Sequence, residues 1–197
     1  MKKVIPATSV LIPDEAQAIF HGQIFDAYQW SQALFDGSNH TFEMLKRPDT
    51  VVAICIVDDE KILVVDDEQP HFGSRKSFPG GRVDESDQSV EAAVRREVAE
   101  ETGYTFKQWR LIQVHQPHNK IEWFVYLFIA WDVASQDKPH LDPGEKITTE
   151  RYNFDELKTL TLNKTGYLSD VKDLFRDLSN VEQLLALPAF DGQTVDR

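Results

Sequence analysis

Residues 81–104 read GRVDESDQSVEAAVRREVAEETGY, and this stretch decides how the rest of the chain is understood. From Ser89 to Thr102 it is rich in Ala, Glu, Arg and Val with no Pro or Gly, and it stops at Gly103. That pattern predicts one helix with Ser89 as its N-cap and Gly103 as its C′ residue. Glu97, Glu100 and Glu101 stand at i, i+3 and i+4, so all three carboxylates share one face within a turn. Like charges at that spacing destabilise a helix by roughly 0.2–0.5 kcal/mol per pair. A divalent cation removes the conflict, because hard oxygen ligands suit Mg²⁺ or Mn²⁺. An isolated Glu-x-x-Glu-Glu is more often an ordinary solvated face, and the preceding Phe78-Pro79-Gly80-Gly81 is what favours a site. A glycine pair lets backbone approach a ligand and exposes its amides and carbonyls. Arg96 is placed to orient the acidic cluster through charge-assisted hydrogen bonds.

Outward from this segment, Thr50 to Val57 and Lys61 to Val65 are β-branched runs separated by Asp58-Asp59-Glu60, which predicts a hairpin entering the core. A loop rich in turn formers then runs from Glu68 to Ser86. Arg110 to Val114 and Ile121 to Trp131 read as strands joined by a polar turn, and Lys146 to Tyr152 as a last strand. The remainder, including Val171 to Leu178 and Val181 to Leu185, reads as short helices. Residues 1–48 read as a β-rich extension, with a hairpin signal at Asp36-Gly37. The expected organisation is an N-terminal extension over 1–48, a catalytic domain over 49–165 and a helical tail over 166–197, which suits a chain of 197 residues.

The formal net charge of −12 repels nucleic-acid phosphates, so DNA and RNA are not expected partners. A phosphorylated substrate would need cations at its site, and Arg75, Lys76 and Arg82 flank the glycine pair. In an acidic protein, surface solubility explains these three equally well. The single cysteine, Cys55, lies in an apolar run and reads as a buried structural thiol. With no apolar leader at the N-terminus, this predicts a cytoplasmic protein. The longest apolar run, Trp123 to Trp131, is about half the ~20 residues a membrane-spanning helix needs. His115 and His118 sit in a polar turn and are expected to be solvated, with a rim contact to substrate as the alternative. Trp30, Trp109, Trp123 and Trp131 are expected in core or interface, and Phe78 is ambiguous between core and substrate contact.

The segment resembles the box of the Nudix hydrolases: Gly, five residues, Glu, seven residues, then Arg-Glu-aliphatic-x-Glu-Glu-x-Gly-aliphatic. The second half matches at Arg96, Glu97, Val98, Glu100, Glu101 and Gly103, with Tyr104 for the final aliphatic. The first half departs from it. Counted back from Arg96, Gln88 stands where the family has Glu, whereas Asp87 has the family's spacing from Gly81 and is available as a substitute.

The resemblance implies an α/β (α+β) Nudix fold, a mixed sheet sandwiched between helices, and hydrolysis of a nucleoside diphosphate linked to another group. It implies Glu97, Glu100, Glu101 and the Gly80 carbonyl as Mg²⁺ ligands and Arg96 as an orienter. Glu145, in a later loop, is the expected general base, with a plain turn carboxylate the equal alternative. Gly81, Arg82, Arg75 and Phe78 are the expected substrate contacts.

Phe20 to Phe25, Phe35 to Gly37, Phe42-Glu43 and Thr50 to Ile54 are similar to the leader of ADP-ribose pyrophosphatases. That similarity implies a homodimer and an ADP-ribose-like nucleotide sugar, although Gln69-Pro70-His71 departs from those enzymes' usual Gln-x-Arg. Clean-up of modified nucleoside triphosphates, cleavage of dinucleoside polyphosphates, and a non-catalytic nucleotide-binding module remain open at this point.

Overall fold

The computed structural model of the protein describes all residues except 71–72, 142–143, 145, 164–167, 169–170 and 197. Its centre is a four-stranded sheet in the order β8 (Gly80–Arg82), β5 (Thr50–Cys55), β11 (Val125–Gln136), β9 (Tyr104–His115). β5 and β11 run parallel and the other pairs antiparallel, so the sheet is mixed.

Side chains alternate between the faces of this sheet, and both faces are buried. Val51, Ala53, Cys55, Tyr126, Phe128 and Ala130 join Val90, Ala93, Val94 and Val98 of α1 (Val90–Thr102) in one core. Ile54, Leu127 and Ile129 pack on the other side against Phe154, Leu157, Phe175 and Leu184. Those residues come from α2 (Phe154–Asn163), α3 (Lys172–Asp177) and α4 (Val181–Leu185). Two-sided burial is why 51–57 reads as an unbroken apolar run, and each fully buried Val, Leu or Ile contributes about 1.5–3 kcal/mol. The sheet between helices matches the expected architecture.

The expected β5–β6 hairpin closes at its turn, through the antiparallel bridge Ile56↔Ile62 and the Val57 amide donating to the Lys61 carbonyl at 2.8 Å, and then splays apart. β6 (Ile62–Gln69) joins a separate sheet between β12 (Lys146–Tyr152) and β7 (Gly73–Ser77). Farther from the turn β5 has other partners, β11 along Thr50–Cys55 and β8 over Thr50–Val52. The loop expected over 68–86 contains two strands. β7 carries no apolar residue and is held by cross-strand partners such as Asp66↔Lys76 and Asp67↔Arg75.

The run Ile121 to Trp131 is also split. β10 (Ile121–Glu122) pairs with β4 (Asn39–Lys46) in an N-terminal sheet containing β2 (Gln17–His21) and β3 (Asp26–Ala33), and only β11 enters the central sheet. The Asp36-Gly37 turn does join β3 to β4, with Gly37 at φ 84°. β12 is not the last strand, because β13 (Gln193–Asp196) pairs with β1 (Lys2–Ile5). Among the described residues, no helix is long and apolar enough to cross a membrane. Cys55 is fully buried, and that burial pushes its thiol well above the usual range.

Candidate active site

α1 is the platform of the site, and its ends are fixed as expected. Ser89 accepts from the Ala92 amide, while Gly103 is left-handed at φ 73° and donates to the Ala99 carbonyl. The chain returning from β11 closes the same end: the Asp137 and His140 amides donate to the Gly103 and Glu100 carbonyls, each at 2.8 Å. Orphan helix carbonyls are thereby satisfied, and His140 is carried to the acidic face.

Gly80 opposes Val52 and Gly81 opposes Val51 in the β5–β8 pairing, which lays the glycine pair against α1. The Gly80 amide donates to Glu101 Oε2 at 2.8 Å, and Glu101 is only 8% exposed. Gly81 gives Glu97 its room, since a Cβ there would lie 2.5 Å from the Glu97 carboxylate. Burial raises the Glu97 carboxyl above its ordinary range, partly offset by Arg96 beside it.

Arg96 ties these parts together. Its guanidinium donates to both Asp87 oxygens at 3.1 and 2.9 Å, to Glu97 Oε1 at 2.9 Å, to Glu100 Oε2 at 3.0 Å and to the Arg82 carbonyl at 3.0 Å. Asp87 also accepts the Asp84 amide at 2.8 Å, so it secures both loop and helix, while Gln88 is exposed. The substitute available at the shifted position is therefore the residue that makes the contact. Pairing with Arg96 holds the Asp87 carboxyl below its ordinary value. Stabilisation from a depressed folded-state pKa is present above the ordinary value of 3.8 and lost as pH falls through the folded value. Asp87→Asn is expected to cost about 1–3 kcal/mol near neutrality and nothing once wild-type Asp87 is protonated. Urea unfolding at the two pH extremes checks this, and an equal loss at both would rule the pairing out as its source.

Gly80, Gly81, Glu97, Glu100, Glu101 and Arg96 line one cavity of about 220 Å³ with Arg82, Asp84 and His140. It shares Gly80, Gly81, Arg82 and Glu101 with a larger cavity of about 370 Å³, whose walls include Val52, Phe78, Trp123 and Leu127. Arg82 pairs with Asp84 at 3.0 Å on the rim. Phe78 is buried, stacked on Phe175 at 6.2 Å, and also faces the larger cavity. Arg75 stands on the exposed β7, outside the lining of both cavities, and Lys76 is engaged by Glu150 and Asp66. Glu145 lies outside the described residues. His115 lines the larger cavity and His118 a groove of the N-terminal sheet, so the turn splits the two histidines between different places. Trp109 packs on Phe106 and Phe128 as expected for core, whereas Trp123 lines the larger cavity. Asp84, His140 and Arg47 are site-lining residues that no motif identifies.

The donor set fits a hard divalent cation: three carboxylates on one helix turn beside a glycine backbone, one of them partly desolvated. Among the described residues no three acidic, His or Cys groups already form a cage. The reason is visible, since Arg96 engages Glu97 and Glu100 and the Gly80 amide engages Glu101.

Comparison with known proteins gives a consistent family. The NUDIX domain model matches residues 46–171. The ADP-ribose pyrophosphatase of Bacillus subtilis (strain 168) is 24% identical over 154 residues, 77% of this chain and 83% of that protein. The putative nudix hydrolase 1 of Caenorhabditis elegans is 30% identical over 109 residues, covering 55% of this chain but only 29% of the worm protein. Among solved structures, an ADP compounds hydrolase superposes with a TM-score of 0.63 at 18% identity, over 86% of this chain and 97% of the other. A structure from work on MutT of Aliivibrio salmonicida and Vibrio cholerae superposes with a TM-score of 0.51 at 20% identity, over 66% and 96% of the two chains.

Proposed function

Because this chain belongs to the Nudix family of hydrolases, we propose that it hydrolyses ADP-ribose or a similar nucleoside diphosphate sugar, with Mg²⁺ (or Mn²⁺), to a nucleoside monophosphate and a sugar phosphate. The observation that carries this reading is the pair of joined cavities. The acidic one suits a metal-bound diphosphate, and the larger, mainly apolar one has the size of a nucleoside or sugar half. The similarity to an ADP-ribose pyrophosphatase over most of both chains supports the same substrate class.

Glu97, Glu100, Glu101 and the Gly80 carbonyl would hold the cation. Bound there, it supplies charge neutralisation at the diphosphate and a lowered pKa for water. The chain's own part is positioning. Arg96 and Asp87 fix the loop on the helix, Gly81 leaves the Glu97 carboxylate unobstructed, and Arg82 adds a positive charge at the rim. In the reaction a water oxygen bonds to one phosphorus, the bridging P–O bond breaks, the second phosphate leaves with its sugar, and the water proton passes to a base. We assign that base to Glu145. We also assign residues 1–48 to dimer formation, supported by Ile19, Phe20, Ile24 and Phe35, which the N-terminal sheet leaves exposed.

Product release from a panel of nucleoside diphosphate sugars, dinucleotides and nucleoside triphosphates, with and without Mg²⁺, tests the assignment. Nucleotide sugars are expected to turn over and chelation to abolish the reaction. Metal-dependent turnover confined to triphosphates would move the substrate class, and nucleotide binding without any turnover would leave a binding module.

A further inference from the structure

Arg47 lies at the end of the N-terminal extension and lines the larger cavity. Its guanidinium carbon sits 4.5 Å from the centre of the Trp123 ring and 5.6 Å from that of Phe25. The Trp123 indole is fixed in turn by donating to Thr50 Oγ1 at 3.0 Å. Two aromatic rings therefore attend the guanidinium, as arginine's planar cation favours, and its donor-bearing edge remains for a ligand.

Charge makes this placement unusual. Two carboxylates beside Arg47 are already engaged: Asp49, two residues on, pairs with Lys3 at 2.6 Å and accepts the Phe124 amide, while Glu122, whose carbonyl accepts the Arg47 amide, pairs through its side chain with Lys46 at 3.3 Å and accepts the Ile12 amide. Among the described residues Arg47 makes no ion pair, and its buried Nε has no hydrogen-bond partner. In a chain of net charge −12, a half-buried arginine left without a carboxylate at the wall of a cavity is a prepared receptor for acceptor atoms.

We propose that Arg47, braced against Trp123 and Phe25, is the specificity residue of the larger cavity, and that its guanidinium edge receives a pair of adjacent acceptor atoms on the substrate half away from the carboxylate helix. The inference rests on the reading that this cavity holds part of the substrate. Two groups present such a pair: a phosphate, and the O6/N7 edge of guanine. The matching edge of adenine sets an acceptor beside a donor and does not satisfy a two-pronged donor.

The test is calorimetric titration of AMP, GMP and ribose 5-phosphate into the full-length protein without metal, comparing wild type, Arg47→Lys and Arg47→Ala. Circular dichroism and thermal melting confirm that each variant is folded. Arg47→Ala is expected to weaken binding about ten- to a hundredfold, with little recovery in Arg47→Lys, because an ammonium cannot present the fork. Equal losses for all three ligands assign the pair to phosphate, and a loss confined to GMP assigns it to guanine. In turnover the loss is expected in KM, with kcat nearly unchanged. A wild type that binds and turns over substrate, with Arg47→Ala matching it in affinity and KM, overturns this inference and leaves the hydrolase reading intact. A wild type that neither binds nor hydrolyses any nucleotide overturns both.

Discussion

Replacing Glu101 by Gln is expected to lower kcat by about a hundred- to a thousandfold while leaving the melting temperature of the metal-free protein nearly unchanged. The two halves of this prediction have different causes. Glutamine keeps a side-chain carbonyl to accept from the Gly80 amide, the contact that ties the glycine strand to the helix, so the local fold survives. It removes the negative charge from a nearly buried position that lines both cavities. That charge is one of three on which the proposed metal site depends, so the rise in melting temperature that Mg²⁺ gives the wild type should shrink in the variant. Turnover within a few-fold of wild type would place Glu101 in the framework of the loop and outside the machinery.

The second large effect separates the two adjacent glycines. Gly80 has φ +152°, and a Cβ there would lie 2.1 Å from the Val51 carbonyl oxygen, a backbone atom of the central sheet that cannot step aside. Gly80→Ala should therefore cost at least about 3 kcal/mol, which for a chain of this length lowers the melting temperature by roughly 6–12 °C. At Gly81 the obstructed atoms belong to the end of a flexible side chain, the Glu97 carboxylate. Gly81→Ala is expected to stay folded with a near-normal melting temperature and to lose most of its activity, because Glu97 must turn out of the cavity. A thermal melt and a turnover assay on each variant decide the matter. Similar stability losses in both would mean that Gly81 serves backbone packing as Gly80 does.

The helix and its chemistry were legible because local rules control them. Ser89, Gly103 and the spacing of Glu97, Glu100 and Glu101 express capping and helical periodicity within a few residues. The two-sided burial of the central sheet was legible for a similar reason, in the apolar run 51–57. What escaped depends on neighbours far along the chain. β7 has no apolar signature, since β6 supplies its partners, and Ile121 to Trp131 gives no local sign that its first residues belong to another sheet. His140 reaches the acidic cavity through a backbone bond to Glu100, which no motif encodes. Arg47 becomes notable only once Lys3 and Lys46 are seen to have taken the carboxylates around it. Asp87 is intermediate: its spacing from Gly81 named it as a substitute, and its geometry with Arg96 shows how it serves.

The parallel pairing of β5 with β11 also sets a timetable for folding. The β3–β4 hairpin closes over a few residues, an event of about 1–10 μs. Val51 meets Tyr126 only after the intervening chain has been gathered in, and such distant pairings make folding intrinsically slow. The hairpin and its exposed apolar neighbours are thus expected to be sampled, though only marginally stable alone, before the central sheet exists to anchor them. During that interval, refolding at high protein concentration should favour encounters between chains over closure within one. The yield of native protein should accordingly fall with concentration at a fixed rate of dilution.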